Sequence, residues 1–441
     1  MKKIPYKIAL YSIFFIAFLP FHTLMASSTS KIPKWVKRAN AYEVNLRQFT
    51  KEGTVAAFSD QLARLKEMGV DILVFLPVYS LSEEHPGGPL AEVYSIRDYR
   101  SFNHEFGSVG AFKEMVDKAH QMGMHVVLDW EPEHTAPDHI WKSKHPEWFS
   151  SASSKEGVLD YDNEDMCSEI KDAMHYWVDE IGIDGYRCFH AKEVPEWFWT
   201  DIWEELETKR PLLGIATVED PQLFEAGFDM LMSTKLYDIL LDMAKEGKGG
   251  LELESYMKWR KELPGGEHLF MNYITNYQLN TTKGPLRDRI GNRTKMLSIL
   301  TVLLDGVPLV MNGQEAGLSN ALPCCEKTVI PWYSYIRAPL FTKLFELRHQ
   351  HPAMEGAKYV PLTTNSGGTV VAFMRQSGKH RMIYSMNLED RHYIFQYTTK
   401  VPEDLPMIDY FTGEPADIPN LNKQYTTAGR MEYFLWITPI K

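Results

Sequence analysis

The stretch Asp179-Glu180-Ile181-Gly182-Ile183-Asp184-Gly185-Tyr186-Arg187 decides the fold. It reads as the end of a helix, a Gly that closes it, and a short apolar strand. Two other stretches repeat the pattern. They are Lys66-Glu67-Met68-Gly69-Val70-Asp71-Ile72-Leu73-Val74-Phe75-Leu76 and His120-Gln121-Met122-Gly123-Met124-His125-Val126-Val127-Leu128-Asp129-Trp130. Gly tolerates the left-handed conformation that ends helices. The apolar runs are continuous, as expected of strands buried on both faces of a parallel sheet. The segments before each Gly carry helical spacing: Phe58, Leu62, Leu65; then Phe112, Met115, Val116, Ala119; then Ile170, Met174, Trp177, Val178, Ile181. Repeated helix-Gly-strand units predict an α/β fold. At this length a closed (β/α)8 TIM barrel is the leading architecture, with an open doubly wound sheet as the alternative.

Outward from these junctions the strands follow in order. Ala41 to Val44 reads as the first and Leu73 to Leu76 as the second. Val126 to Leu128 is the third, and it opens into a polar and aromatic loop over residues 131–165. Later candidates are Leu212 to Ala216, Asp229 to Met232, Phe270 to Thr275 and Pro308 to Met311. The texture changes near Pro352. Val370 to Phe373, Met382 to Tyr384, Tyr393 to Phe395 and Tyr433 to Trp436 read as short strands between turn residues. The expected domains are therefore a barrel over 33–352 and a separate antiparallel domain over 353–441.

The N-terminus carries Lys2, Lys3 and Lys7, an apolar run from Ile8 to about Leu19, and small residues at Ala26, Ser27 and Ser28. That is the pattern of a signal peptide over residues 1–28. Pro20 and His22 make the run short for a membrane span, the alternative reading. The expectation is export by the Sec route to the periplasm or the medium, with no membrane span after cleavage. The formal net charge is −11, and loss of those lysines makes it more negative, which argues against nucleic acid as a partner. Cys167, Cys188, Cys324 and Cys325 make no zinc pattern. An oxidising compartment would allow a bridge from Cys167 to one of the later pair.

Active sites of such barrels lie at the C-terminal strand ends. Those ends carry Asp129 and His134, Arg187 to His190, Thr217 and Glu219, and Asn276 to Asn280. In chain order, Tyr42-Glu43-Val44-Asn45, Tyr94-Ser95-Ile96-Arg97-Asp98-Tyr99, Leu128-Asp129-Trp130, His134-Thr135-Ala136, Asp184-Gly185-Tyr186-Arg187-Cys188, Gly306-Val307-Pro308 and Asn312-Gly313-Gln314-Glu315 resemble glycoside hydrolase family 13, the α-amylase family. The resemblance covers essentially the whole chain after the leader. It implies a barrel, a small inserted subdomain at 131–165 after strand three, and a C-terminal β-sandwich. It also implies chemistry on α-1,4-glucans, with α-glucan or maltooligosaccharide as the partner molecule.

The family uses three carboxylates. An Asp two residues after the strand-four Arg is the nucleophile. A Glu after an Ala ending strand five is the acid/base. An Asp after Asn-His ending strand seven stabilises the transition state. In retaining glycosidases one carboxylate forms the glycosyl-enzyme bond and another transfers the proton. Here those positions hold Phe189, Thr217 and Gln278. The resemblance thus points to a catalytically degenerate member with no catalytic residues. Three functional readings follow: a non-catalytic glucan-binding or accessory protein, a hydrolase or transglycosylase with a rebuilt site, and a protein-interaction scaffold. Candidate stand-ins for a rebuilt site are His190, Glu193 and Glu219.

By resemblance, Tyr94, His134, Arg187 and Asn276 are substrate-binding positions; inherited scaffold is the alternative reading. The large rings of Phe189 and Tyr277 are expected to fill the subsite of the scissile sugar. Arg187 loses its family carboxylate, so Glu133 is expected to pair with it. The family often has a calcium-binding Asn where Glu133 stands, so the sequence supports no cofactor, calcium included. Trp141, Trp148, Phe149, Trp197, Phe198 and Trp199 are candidates for sugar stacking, with packing in the core or anchoring of loops as the alternative.

Overall fold

The structure, a computed structural model, describes residues 32–84, 87–150, 157–265, 267–416, 418, 425–427 and 431–440. The expected signal peptide and part of the 131–165 insertion, residues 151–156, lie outside the described residues. No helix among the described residues is long and apolar enough to cross a membrane.

Eight parallel strands close into a barrel: β1 Ala41–Val44, β2 Ile72–Phe75, β3 His125–Trp130, β4 Gly185–Cys188, β5 Leu213–Ala216, β6 Met230–Met232, β7 Leu269–Asn272 and β8 Val307–Met311. Closure is direct, through pairing of Tyr42 with Val310 between β1 and β8. The doubly wound alternative is thereby set aside. The alternation of strand side chains sends Ala41, Ile72, Val74, Val127, Leu213, Ile215, Met271 and Leu309 into one apolar cluster inside the barrel. A larger cluster lies between strands and helices. The helical positions read from spacing, from Phe58 through Ile181, all belong to it.

Two of the longer helices start where a side chain caps them. Ser108 Oγ accepts from the Ala111 amide at 3.2 Å, and Asn163 Oδ1 from the Met166 amide at 3.0 Å. The helix before β4 ends at Gly182, with φ of 91°. Gly185 opens β4 at a close approach, since a Cβ there would lie 2.1 Å from the Leu213 carbonyl oxygen.

Asp184, between these glycines, ties the bottom of the barrel. Its carboxylate accepts from the Val126 amide, from Arg210 Nη1 and from His120 Nε2, each at 2.8 Å. Burial alone would raise its pKa; His120 and His125 lead the partners that hold it well below the usual carboxylate range. The Asp184 hydrogen bond raises that of His120. A depressed acid contributes stability above its unfolded pKa of about 3.9, lost as pH falls through the folded value. A raised imidazole contributes below about 6.5, lost as pH rises through its folded value. Asp184→Asn is therefore expected to cost about 2 kcal/mol near pH 5–6. The gap from wild type, read by urea unfolding across pH, narrows below about pH 4. A gap independent of pH contradicts this role.

After helix Ala338–Gln350 comes a five-stranded antiparallel sheet of Lys358–Pro361, Val370–Ser377, His380–Asn387, Tyr433–Ile437 and Ile408–Asp409, in that spatial order. Tyr393–Phe395 pairs with Tyr425–Thr427 as a second, two-stranded sheet. Tyr384 Oη donates to the Met296 carbonyl at 2.8 Å and docks the large sheet on the barrel's last helices. All four cysteines are free thiols. Cys167 is buried and its thiol donates to the Tyr161 carbonyl at 3.4 Å, so the bridge allowed by the sequence is not made.

Candidate functional site at the barrel mouth

Strand register fixes what occupies the mouth. Asp129 pairs with Arg187, Arg187 with Ile215, and Cys188 with Ala216. Phe189 and Thr217 therefore follow directly from the ends of β4 and β5. The Phe189 amide donates to the Trp130 carbonyl at 2.8 Å, and the Thr217 amide to the Cys188 carbonyl at 3.0 Å.

Arg187 is 1% exposed and fully partnered. Its Nε and Nη2 donate to the two oxygens of Asp129 at 2.6 and 2.8 Å. Its Nη1 donates to Glu43 Oε1 at 2.7 Å. The fork geometry of guanidinium on carboxylate is the strong form of such a bond. The other Glu43 oxygen accepts from the Tyr277 amide at 2.6 Å, and Tyr94 Oη donates to Asp129 Oδ2 at 2.8 Å. Burial pushes the Glu43 and Asp129 carboxyls upward, and Arg187 pulls against it. Burial would lower Arg187, yet Asp129 and Glu43 hold it well above its ordinary value.

The expected Glu133–Arg187 pair is thus corrected. Asp129 and Glu43, on the strands themselves, saturate the guanidinium. Glu133 turns to His134, with Oε2 and Nδ1 2.9 Å apart. Glu43 was missed in the sequence reading. The available signal was an acid in the otherwise apolar run Ala41 to Val44, two residues on from the inward-facing Ala41, where a buried charge needs a partner.

Phe189 is 8% exposed and lies over this network. Its ring centroid is 4.5 Å from that of Tyr94 and 5.6 Å from Arg187 Cζ. Tyr277 is buried in a small cluster with Leu76, Val93 and partly buried Tyr94. Both rings thus have Tyr94 as a neighbour, Phe189 on the Arg187 side and Tyr277 in the apolar cluster. Asn276 is buried, and its Oδ1 caps the helix Tyr277–Lys283 through the Leu279 amide at 2.8 Å. Gln278 is exposed on that helix, and Thr217 is partly buried.

The stand-ins are committed elsewhere or exposed. Glu219 accepts from Tyr256 Oη at 2.8 Å and from the Lys235 amide at 2.7 Å, which anchors the helix Thr234–Glu246. Glu193 is exposed. His190 Nδ1 lies 2.8 Å from Glu131 Oε2, and this contact raises its imidazole above the ordinary value. Of the aromatic candidates, Trp141, Trp148, Phe198 and Trp199 are buried and Phe149 is partly buried. Trp197 alone among them is 50% exposed. It borders a cleft of about 520 Å³ with Tyr161, Asp162, Lys171 and Glu205.

Comparison with known proteins agrees with the sequence motifs. The model described as "Alpha amylase, catalytic domain" matches residues 32–156. The chain is 20% identical to "Alpha-amylase 2" of Dictyoglomus thermophilum, over 82% of this chain and 71% of that protein. It is 25% identical to a cyclomaltodextrinase of a Bacillus species, over 80% of this chain and 73% of that protein. Among solved structures, the noncanonic maltogenic α-amylase AmyB of Thermotoga neapolitana superposes with a TM-score of 0.82 at 23% identity. That match covers 92% of this chain and all of the other. The barrel and C-terminal sheet are the fold of that solved structure.

Proposed function

From the premise that this is an α-amylase-family chain, we propose a non-catalytic protein of α-glucan metabolism, exported, that binds glucan rather than cleaving it. One observation carries the reading. The position two residues after Arg187 holds Phe189, whose ring packs on Tyr94 and covers an ion network with no free carboxylate oxygen turned to a substrate. A retaining glycosidase needs two carboxyl groups about 5–5.5 Å apart across the bond to be broken. Glu43, Asp129, Glu131 and Glu133 instead pair with Arg187, His134 and His190. Tyr94 and Arg187 serve as scaffold in this reading.

Binding then falls outside the filled subsite. Trp197 offers an exposed aromatic face beside Asp162, Lys171 and Glu205, the mix of ring and polar groups that suits a sugar. Calorimetric titration with maltoheptaose is expected to give saturable heat, with affinity about tenfold lower in Trp197→Ala. Heat without dependence on Trp197 moves the glucan site. Absence of heat removes the glucan reading.

A second reading, a protein scaffold, draws on the segment after β8. Tyr333 is 95% and Ile336 75% exposed. A stable protein partner together with no sugar binding would favour it.

A further inference from the structure

Beside Phe189, four side chains converge that the Arg187 ion network does not include. Glu131, Glu133 and His134 stand at the start of the loop after β3, and His190 stands just past β4. One potential ligand atom from each lies within 4.8 Å of all the others. His190 Nδ1 is 2.8 Å from Glu131 Oε2 and 3.8 Å from Glu133 Oε2. His134 Nδ1 is 2.9 Å from the same Glu133 oxygen, and the two imidazole rings are 5.5 Å apart. We propose that Glu131, Glu133, His134 and His190 form a binding site for a divalent d-block cation, with Zn²⁺ as its reference member.

Four features point to a cation rather than to ordinary ion pairs. The donor set is two imidazole nitrogens and two carboxylates, so a dication is neutralised by its own ligands. Glu131 is oriented from behind: its Oε1 accepts from the amides of Glu133 and His134 at 3.1 and 3.3 Å, leaving Oε2 turned to the cluster. Such outer-shell bonds fix metal ligands in place. Glu133 Oε2 is buried and makes no well-aligned hydrogen bond, despite its nearness to both imidazoles. His190 holds φ of 44°, a left-handed backbone that is uncommon outside Gly and that aims its ring at the acids.

The chemistry selects the class of ion. Calcium takes six to eight oxygen ligands, and imidazole does not suit it. Imidazole with carboxylate suits zinc and its neighbours. Tetrahedral zinc with bonds of about 2.0–2.2 Å sets its ligands roughly 3.4 Å apart. The contacts of 2.8, 2.9 and 3.8 Å fall on either side of that spacing. Half-exposed His190 has the freedom to close the wider ones. An ion here would staple the start of the β3 loop to the end of β4, one residue past Phe189. The inference stands whether or not glucan binds.

The test uses the mature chain, stripped with a chelator and then titrated with Zn²⁺ by calorimetry. One equivalent is expected to bind, with affinity lower by about 100-fold or more in His190→Ala and in His134→Ala. Co²⁺ in place of Zn²⁺ should give a visible ligand-field band that both variants lose. Glu133→Gln, which keeps the side chain's shape, should weaken binding without loss of fold by circular dichroism. No stoichiometric uptake overturns the site. So does uptake that the histidine variants leave unchanged, which would place the ion on other surface groups.

Discussion

Arg187→Ala is expected to lower the unfolding free energy by about 3–5 kcal/mol, one of the largest single losses available in this chain. The guanidinium makes three close bonds to two carboxylates while 1% exposed. Its removal leaves Asp129 and Glu43 side by side in the barrel with no cation. A buried charge without a partner is far more costly than the net worth of the pair. Replacing all three, as Arg187→Met with Asp129→Leu and Glu43→Leu, should recover much of the loss. Recovery stays incomplete because Tyr94 Oη and the Tyr277 amide then lack acceptors, at about 1–3 kcal/mol each. Urea unfolding of the single and triple variants reads both effects. A loss under about 1 kcal/mol in Arg187→Ala would mean a solvated guanidinium in an open sugar site.

Phe189 is the second test of the same region. Phe189→Ala removes a nearly buried ring in contact with Tyr94 and Arg187, so about 3 kcal/mol of stability should go with it. Phe189→Asp restores the residue type that the family resemblance expects there. It should cost more than the alanine change, because Asp129 and Glu43 already saturate Arg187 and a third carboxylate would be buried without a cation. The order alanine above aspartate in unfolding midpoint is the informative result. Equal stability of Phe189→Asp and wild type would show that Arg187 still has capacity for a nucleophile at this position.

Much of this was legible in the chain. The helix-Gly-strand junctions specify a parallel α/β fold because a parallel strand buried on both faces must be apolar throughout, and a helix must end before it; closure into a barrel is what the family resemblance implies. The family resemblance located Phe189, Thr217 and Gln278, the first two directly after β4 and β5 and the third two residues past the helix cap Asn276. The partner of Arg187 was not legible. Glu43 is 144 residues away from it, and only barrel closure brings β1 and β4 to the same interior layer. The same limit hid the meeting of Glu131 and Glu133 with His190. Which aromatic candidates pack and which stay exposed, as Trp197 does, was not legible for another reason. An aromatic in a loop has the same local signature packed or exposed, and tertiary contact buried Trp141 and Trp148.

The central claim is that this barrel no longer cleaves glucan. The most direct measurement is long incubation of the mature protein with maltoheptaose, followed by chromatographic analysis for shortened sugars. No shortened sugars above the buffer control is the predicted result, with the Phe189→Ala variant equally silent. Shortened sugars that scale with protein concentration and vanish in a His190 or Glu219 variant would contradict it, and would mean a rebuilt catalytic site.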